Sequence, residues 1–384
     1  MSIKYLCYNN LMKKIATFIL LISTLLYSEF NYKIENSNFS ISQNNNYAYN
    51  YHRLRMEFNY KHSNFFATLI GDGVNYYGQN LINSNEFNLF TTLTSDTPFS
   101  TQSKFNYYDR GANYSKLYRA YIGYDDMLNR MVFGLQNITM GVGRIWNPSN
   151  IFNPKNIYAL EPDEVYGVLA LSYTRYLSET SHIHAVISQR KDKSYKYALK
   201  YKGYIAFADM ALSLIQSNNT KMIGYEIEGN LGDTGIELRS EGAYIHSKIN
   251  TLEGKQEREF YQMIIGADYG FENGITLVVE ALYNSKRFSQ NELFLNLDSE
   301  ILGNMNLSKF YGALSLSYNF NLELSGSFTY IESFNDANSR FISPTLTYSI
   351  NDYSSISMGG IIYSGEGEFA NTNNSYYFKY SLAF

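Results

Sequence analysis

The chain has 384 residues and a formal net charge of −4, with 45% hydrophobic, 17% aromatic and only 17% charged residues. Soluble globular chains carry about a quarter charged residues, and an acidic balance offers nucleic acid no electrostatic footprint. The longest helix-like apolar run, residues 15–26, is shorter than the roughly 20 residues that a membrane-spanning helix requires.

Lys13 and Lys14 lead into that run, and Ser28 places a small residue before Glu29. This is the layout of a signal peptide over residues 1–28, with Met1 and Met12 both open as the start. Cys7, the only cysteine, lies inside it, so residues 29–384 offer no disulfide and no cysteine for a lipid anchor.

Beyond it the chain is a succession of alternating segments bounded by Gly, Asn, Asp or Pro. They fall at 30–42, 47–60, 64–71, 116–124, 130–139, 165–176, 181–190, 194–202 and 204–216. The series continues at 221–230, 234–247, 258–269, 274–284, 309–319, 321–332, 340–350, 353–363 and 375–384. Every second connection is short, including single-residue turns at Gly203 and Phe320, whereas the long ones (72–115, 140–164, 248–257, 285–308 and 364–374) all fall in the other class. Such sorting is the mark of a transmembrane antiparallel β-barrel, with short turns on one rim and long loops on the other. It also demands a strand before Tyr47, which supports the otherwise weak segment 30–42. The expectation is an all-β barrel over 29–384 with 18 strands, or 16 as the alternative. The loop 72–115 has room for a further hairpin around 87–94, and Pro344 inside the segment 340–350 predicts a bulge there or a strand boundary that lies elsewhere.

Charge gives the phase of each strand. Leu54, Met56, Phe58 and Tyr60 share one face of 47–60, opposite Arg53, Arg55, Glu57 and Asn59. A charge facing lipid near the midplane costs roughly 2–4 kcal/mol, so the charged face belongs to the lumen. The same reasoning turns Arg119, Arg130, Lys196, Lys200, Lys202, Glu226, Glu228, Glu237, Arg239, Glu241 and Glu280 inward. Basic residues dominate the early strands and acidic ones the later strands. A closed barrel would then have a basic wall facing an acidic wall.

The loop 140–164 reads MGVGRIWNPSNIFNPKNIYALEPDE and holds three of the five prolines and the only tryptophan, Trp146. Two Asn-Pro pairs stiffen it, and its apolar residues suit a loop folded inward against the wall. Arg144, Lys155, Glu161, Asp163 and Glu164 would then line the constriction. An ordinary outer loop is the alternative. Residues 141–154 resemble the inward segment of Gram-negative porins that carry a Trp-Gly-x-Gly, Asn-Pro, Asp, Asn-Pro pattern. Gly141, Gly143, Asn147, Pro148, Asn153 and Pro154 match it, while Met140 stands for the Trp and Asn150 for the Asp. The aromatic alternation of 375–384, ending on Phe384, is similar to the closing strand of bacterial outer-membrane barrels. What the resemblance implies is a diffusion channel, monomeric or homotrimeric, with its solute set by the constriction.

Catalytic motifs are weak. His182 and His184 share a face without an evident third ligand. Ser188 and His184 lie on one face four residues apart, too far along a strand for a hydrogen bond. The expectation is therefore an outer-membrane channel for small hydrophilic solutes or ions, with no enzyme activity, cofactor or metal. The alternative is a surface-binding barrel of the adhesin type acting through loops 72–115 and 285–308.

Overall fold

The computed structural model describes residues 29–43, 47–92, 94–334, 339–369 and 372–384; the signal peptide expected over 1–28 lies outside them. The strands, all paired antiparallel, begin with β1 (Glu29–Gln43), β2 (Tyr47–His62), β3 (Phe65–Tyr77), β4 (Asn106–Tyr108), β5 (Gly111–Asp125) and β6 (Asn129–Gln136). Then come β7 (Val168–Tyr176), β8 (His182–Gln189), β9 (Tyr195–Ile205), β10 (Ala208–Gln216), β11 (Thr220–Asn230), β12 (Ile236–Thr251) and β13 (Gly254–Gly270). The rest are β14 (Thr276–Asn284), β15 (Phe310–Asn319), β16 (Leu324–Ser333), β17 (Ser339–Asn351), β18 (Ser354–Ser364) and β19 (Ser375–Ala383).

The short β4 lies only against the start of β5, because β3 pairs with β5 directly. The other 18 strands form a closed ring in which β1 pairs with β2 on one side and with β19 on the other. Closure leaves no strand edge without partners, which is what hydrocarbon surroundings would require. The count is 18, and the alternative of 16 falls away. At the closing seam Ile34 and Phe384 exchange two backbone hydrogen bonds, of 3.0 and 2.9 Å. The weakest expected strand thus pairs with the last one.

One rim carries only short turns, at 63–64, 126–128, 177–181, 206–207, 231–235, 271–275, 320–323 and 352–353. The other carries the long connections 78–110, 137–167, 285–309 and 365–374. Alternation decides the faces: on β9, Tyr195, Tyr197, Leu199 and Tyr201 are exposed on the outside, while Lys196 and Ala198 are buried on the inside.

Five local expectations are corrected. Gly203 is not a turn: β9 continues to Ile205 and the chain reverses at Ala206 and Phe207, Ala206 taking φ 58°. A single residue is too short to reverse an antiparallel pair, for which two is the usual minimum. The same holds at Phe320, where the turn occupies 320–323. The loop expected over 248–257 shrinks to Leu252 and Glu253, because β12 and β13 continue past Lys248 and Glu257 as a polar ladder. In place of a hairpin at 87–94 stand two helices, α1 (Gln79–Ile82) and α2 (Asn85–Thr92). Phe87 and Phe90, three residues apart, share a helix face and pack on Tyr76. At Pro344 the register between β17 and β18 is the same on either side, with no bulge; the shift comes later, between Ser349 and Asn351.

The barrel is not empty on its long-loop side. Ile138, Met140, Ile151 and Phe152 join inner-wall residues of β7–β13 and Phe288, Ile301 and Met305 in one buried cluster. Ile145 joins a second with inner-wall residues of β13–β18, against which Trp146, Ile157, Tyr158 and Leu160 also pack. The connection 137–167 therefore lies across the inside of the wall.

Candidate functional site

The first half of this connection is fastened by its own backbone. Gly141 N–H donates to Glu226 Oε1 at 2.9 Å, and Val142 and Gly143 N–H donate to Glu241 Oε2 at 2.8 and 3.0 Å. The next three N–H groups, of Arg144, Ile145 and Trp146, all reach Glu280, at 2.9, 3.2 and 2.8 Å. Ser149 adds its N–H and its hydroxyl to Glu241 Oε1. Six consecutive amides thus wrap three carboxylates of the wall, the last two of them fully buried. A concave run of N–H groups is a natural carboxylate receptor.

This geometry explains the glycines. Gly141 has φ +93°, and a Cβ there would stand 2.5 Å from a Glu241 oxygen. A Cβ on Gly143 would collide with the Trp146 carbonyl oxygen. Only glycine lets the backbone approach the carboxylates so closely.

Arg144 sits in an acidic cage. Its guanidinium reaches Glu237 at 2.7 Å, Asp268 at 3.0 Å and Glu228 at 3.4 Å, and it remains about half exposed. Arg239 shares Asp268 and approaches Glu280 at 3.5 Å.

The second half is held by the opposite wall. Glu161 accepts two bonds from Arg53, at 2.8 and 3.1 Å, and one from Lys379 at 3.2 Å. Glu164 takes a similar pair from Arg55, at 3.0 and 2.8 Å, and Arg55 is also clamped to Asp72. Such two-pronged arginine–carboxylate pairs are strong and directional. The connection places Arg144 on the acidic wall and Glu161 and Glu164 on the basic wall, so much of the charge expected to face open water is spent on holding it.

A bulge supplies one further feature. Between Ile70 and Gly71 the register against β5 slips by one residue, so that Tyr118 and Arg119 both turn inward and are buried. Arg55 and Arg119 lie over the Tyr118 ring, 3.8 and 4.0 Å from its centroid. Arg119 donates to the carbonyls of Tyr118 and Val165.

The remaining candidates are scattered. Lys155 pairs with Asp163 at 2.8 Å, well exposed. Lys200 is bound to Glu226 at 2.6 Å, and both are largely buried beneath the connection. Lys196 is buried, donating to the Ile151 carbonyl at 2.8 Å and lying 3.3 Å from Glu300. Arg130 lies apart from all of these, paired with Asp125 beside the short turn 126–128 and over the Phe66 ring. His184 hydrogen-bonds Thr174 at 2.8 Å. Among the described residues no cluster of three or more His, Cys, Asp or Glu is placed to hold a metal.

Sequence reasoning placed Glu241 and Glu280 in the lumen but missed their anchoring role, which only the Gly-x-Gly spacing hinted at. It also missed the part of 285–309. Asn304 donates to the Pro148 carbonyl at 2.8 Å, and Ser289 and Glu292 form a capping box on α3 (Gln290–Leu295). Between this loop and the connection lies a cavity of about 690 Å³, lined by Trp146, Lys155, Tyr158, Leu293, Phe294 and Glu368. Burial pushes the Glu368 carboxyl above its ordinary value, opposed by the Tyr311 hydroxyl that donates to it at 2.6 Å.

No protein-family model matches the chain, and no curated protein sequence matches it. Solved structures do. Acinetobacter baumannii OccAB1 is similar at TM-score 0.59 and 8% identity, over 93% of this chain and 96% of that one. Pseudomonas aeruginosa OpdK, solved with vanillate, also gives TM-score 0.59 at 8% identity, over 93% and 98%. A BenF-like porin from Pseudomonas fluorescens Pf-5 gives 0.56 at 11% identity, over 93% and 98%. At such identities the likeness is one of fold.

Proposed function

We propose that this protein is a passive channel of the outer membrane that lets small hydrophilic solutes or ions diffuse, with residues 140–164 forming its narrowest part. The observation that carries the reading is the fastening of the connection 137–167 to both walls of a closed ring, by backbone amides on Glu226, Glu241 and Glu280 and by Glu161 and Glu164 on Arg53 and Arg55. A segment held at both ends inside a barrel narrows the passage without needing to move. The exposed aromatic and aliphatic outer face suits a bilayer, and similarity of fold to porins supports the same reading.

Of the candidate residues, the partly exposed Arg144, Lys155, Asp163 and Glu228 are the ones that meet the permeating solute. Glu226 and Lys196 act from beneath as structural supports. No catalytic step is assigned. The loop 285–308, a binding surface under the adhesin-type alternative, packs on the connection through Asn304, which favours its belonging to the channel. Reconstitution in planar bilayers tests the proposal: the folded protein should give discrete ohmic conductance steps, and a folded protein without them overturns it.

A further inference from the structure

The cavity between the loop 285–309 and the connection 137–167 measures about 690 Å³, within the range of about 300–1,000 Å³ that small-molecule sites occupy. Its walls are mainly apolar, with Ile145, Trp146, Leu282, Leu293, Phe294 and Met305 among them. Among the described residues, only two charged side chains line it, Lys155 and Glu368. Lys155 is already paired, with Asp163 at 2.8 Å. Glu368 is not: no Lys, Arg or His among the described residues forms an ion pair with it.

The hydrogen bonds around Glu368 show what it lacks. Ser308 N–H donates to the Tyr311 hydroxyl at 2.9 Å, and that hydroxyl donates onward to Glu368 Oε2 at 2.6 Å. Oε1 has no hydrogen bond among the described residues. Aromatic rings stand nearby: the Trp146 and Tyr311 centroids are 5.9 Å apart, and Tyr158 lies 5.1 Å from Phe369, the residue next to Glu368. Ring faces attract cations, and a carboxylate withdrawn from water is costly without a positive partner. Burial has already pushed this carboxyl above its ordinary value.

We propose that this cavity binds a primary amine carried on an apolar or aromatic body, with the ammonium on Glu368 and the body against Trp146, Leu293 and Phe294. An ammonium donates to the free carboxylate oxygen and supplies the positive charge that the lining lacks. A carboxylate ligand meets like charge at Glu368 and finds no unpaired base, since Lys155 is held by Asp163. A neutral alcohol fills the same space and leaves the charge uncompensated. The inference goes beyond the channel reading and stands without it, because the ligand is held beside the segment 140–164 whether or not it then passes.

Trp146, the only tryptophan in the chain, lines the cavity and reports on it. In the full protein purified in detergent, its emission should respond saturably to 2-phenylethylamine. The response to 2-phenylethanol should need about tenfold higher concentrations, the usual scale of a lost contact to a charged group, and 3-phenylpropionate should give none. Ethanolamine, which has the charge without the apolar body, should also give none, which separates this cavity from the acidic cage around Arg144. Folded Glu368→Gln should bind the amine no better than the alcohol. No saturable response to 2-phenylethylamine, an equal response to 3-phenylpropionate or ethanolamine, or undiminished amine binding by Glu368→Gln overturns the proposal. Should that variant not fold, the four probes on the wild type decide alone. Conductance in planar bilayers is read separately, so either reading can fail without the other.

Discussion

Ser149 gives both its backbone N–H, at 2.8 Å, and its hydroxyl, at 2.7 Å, to the same oxygen of the buried Glu241. With Val142 and Gly143 on the other oxygen, one carboxylate organises most of a turn. Replacing Glu241 by Ala strands these donors, at roughly 1–3 kcal/mol for each one left unsatisfied. The expected outcome is a less stable barrel with higher and noisier single-channel conductance. Unchanged current through Glu241→Ala would show that the connection does not limit flow.

Gly143→Ala tests the same anchor from the other side. Its Cβ meets the Trp146 carbonyl, which is backbone and cannot swing away. The segment must shift, and the conductance of Gly143→Ala should move toward that of a variant with 140–164 deleted. A deletion that leaves conductance as it was removes the segment from the permeation path.

Reversing Arg53 and Arg55 to Glu has two expected effects. Ion selectivity moves toward cations, because two positive charges become negative. The second end of the connection also loses its partners, since Glu161 and Glu164 now face like charge. Reversal potentials under a salt gradient measure the first effect, and conductance the second. Arg144→Glu should loosen the opposite attachment and shift selectivity the same way.

The pH dependence of Glu368 has a definite sign. A carboxyl whose folded value is raised contributes stability that is full below its unfolded value and lost as pH rises through the folded one. Thermal unfolding followed from acid toward neutral pH should therefore lose a component just above the ordinary glutamate range. Glu368→Gln, which still accepts the Tyr311 hydroxyl, should abolish that component. A profile identical to wild type refutes it.

The strands were legible because the two sides of each demand opposite chemistry: Tyr197 and Leu199 outward, Lys196 and Lys200 inward, leave little freedom of phase. The seam between β1 and β19 was harder, since Asn36 and Asn38 break the apolar alternation where a reader looks for it. Where β12 and β13 rise beyond Tyr244, the outer face turns polar, and Lys248 opposite Glu257 reads as loop although the ladder continues. The helix over Asn85–Thr92 was missed because Phe87, Leu89 and Phe90 fit either period. Within the site, charge placed the glutamates inside but could not say what met them. Backbone amides leave no signature in the side chains beyond the glycines that let them turn.

The way the connection is attached has a consequence for how such a protein can diversify. Glu226, Glu241 and Glu280 bind main-chain groups that every residue but proline possesses. At this end of the segment, side chains other than those of Gly141, Gly143 and Ser149 can therefore be exchanged, and the passage retuned for another solute, while the backbone fastening stays in place.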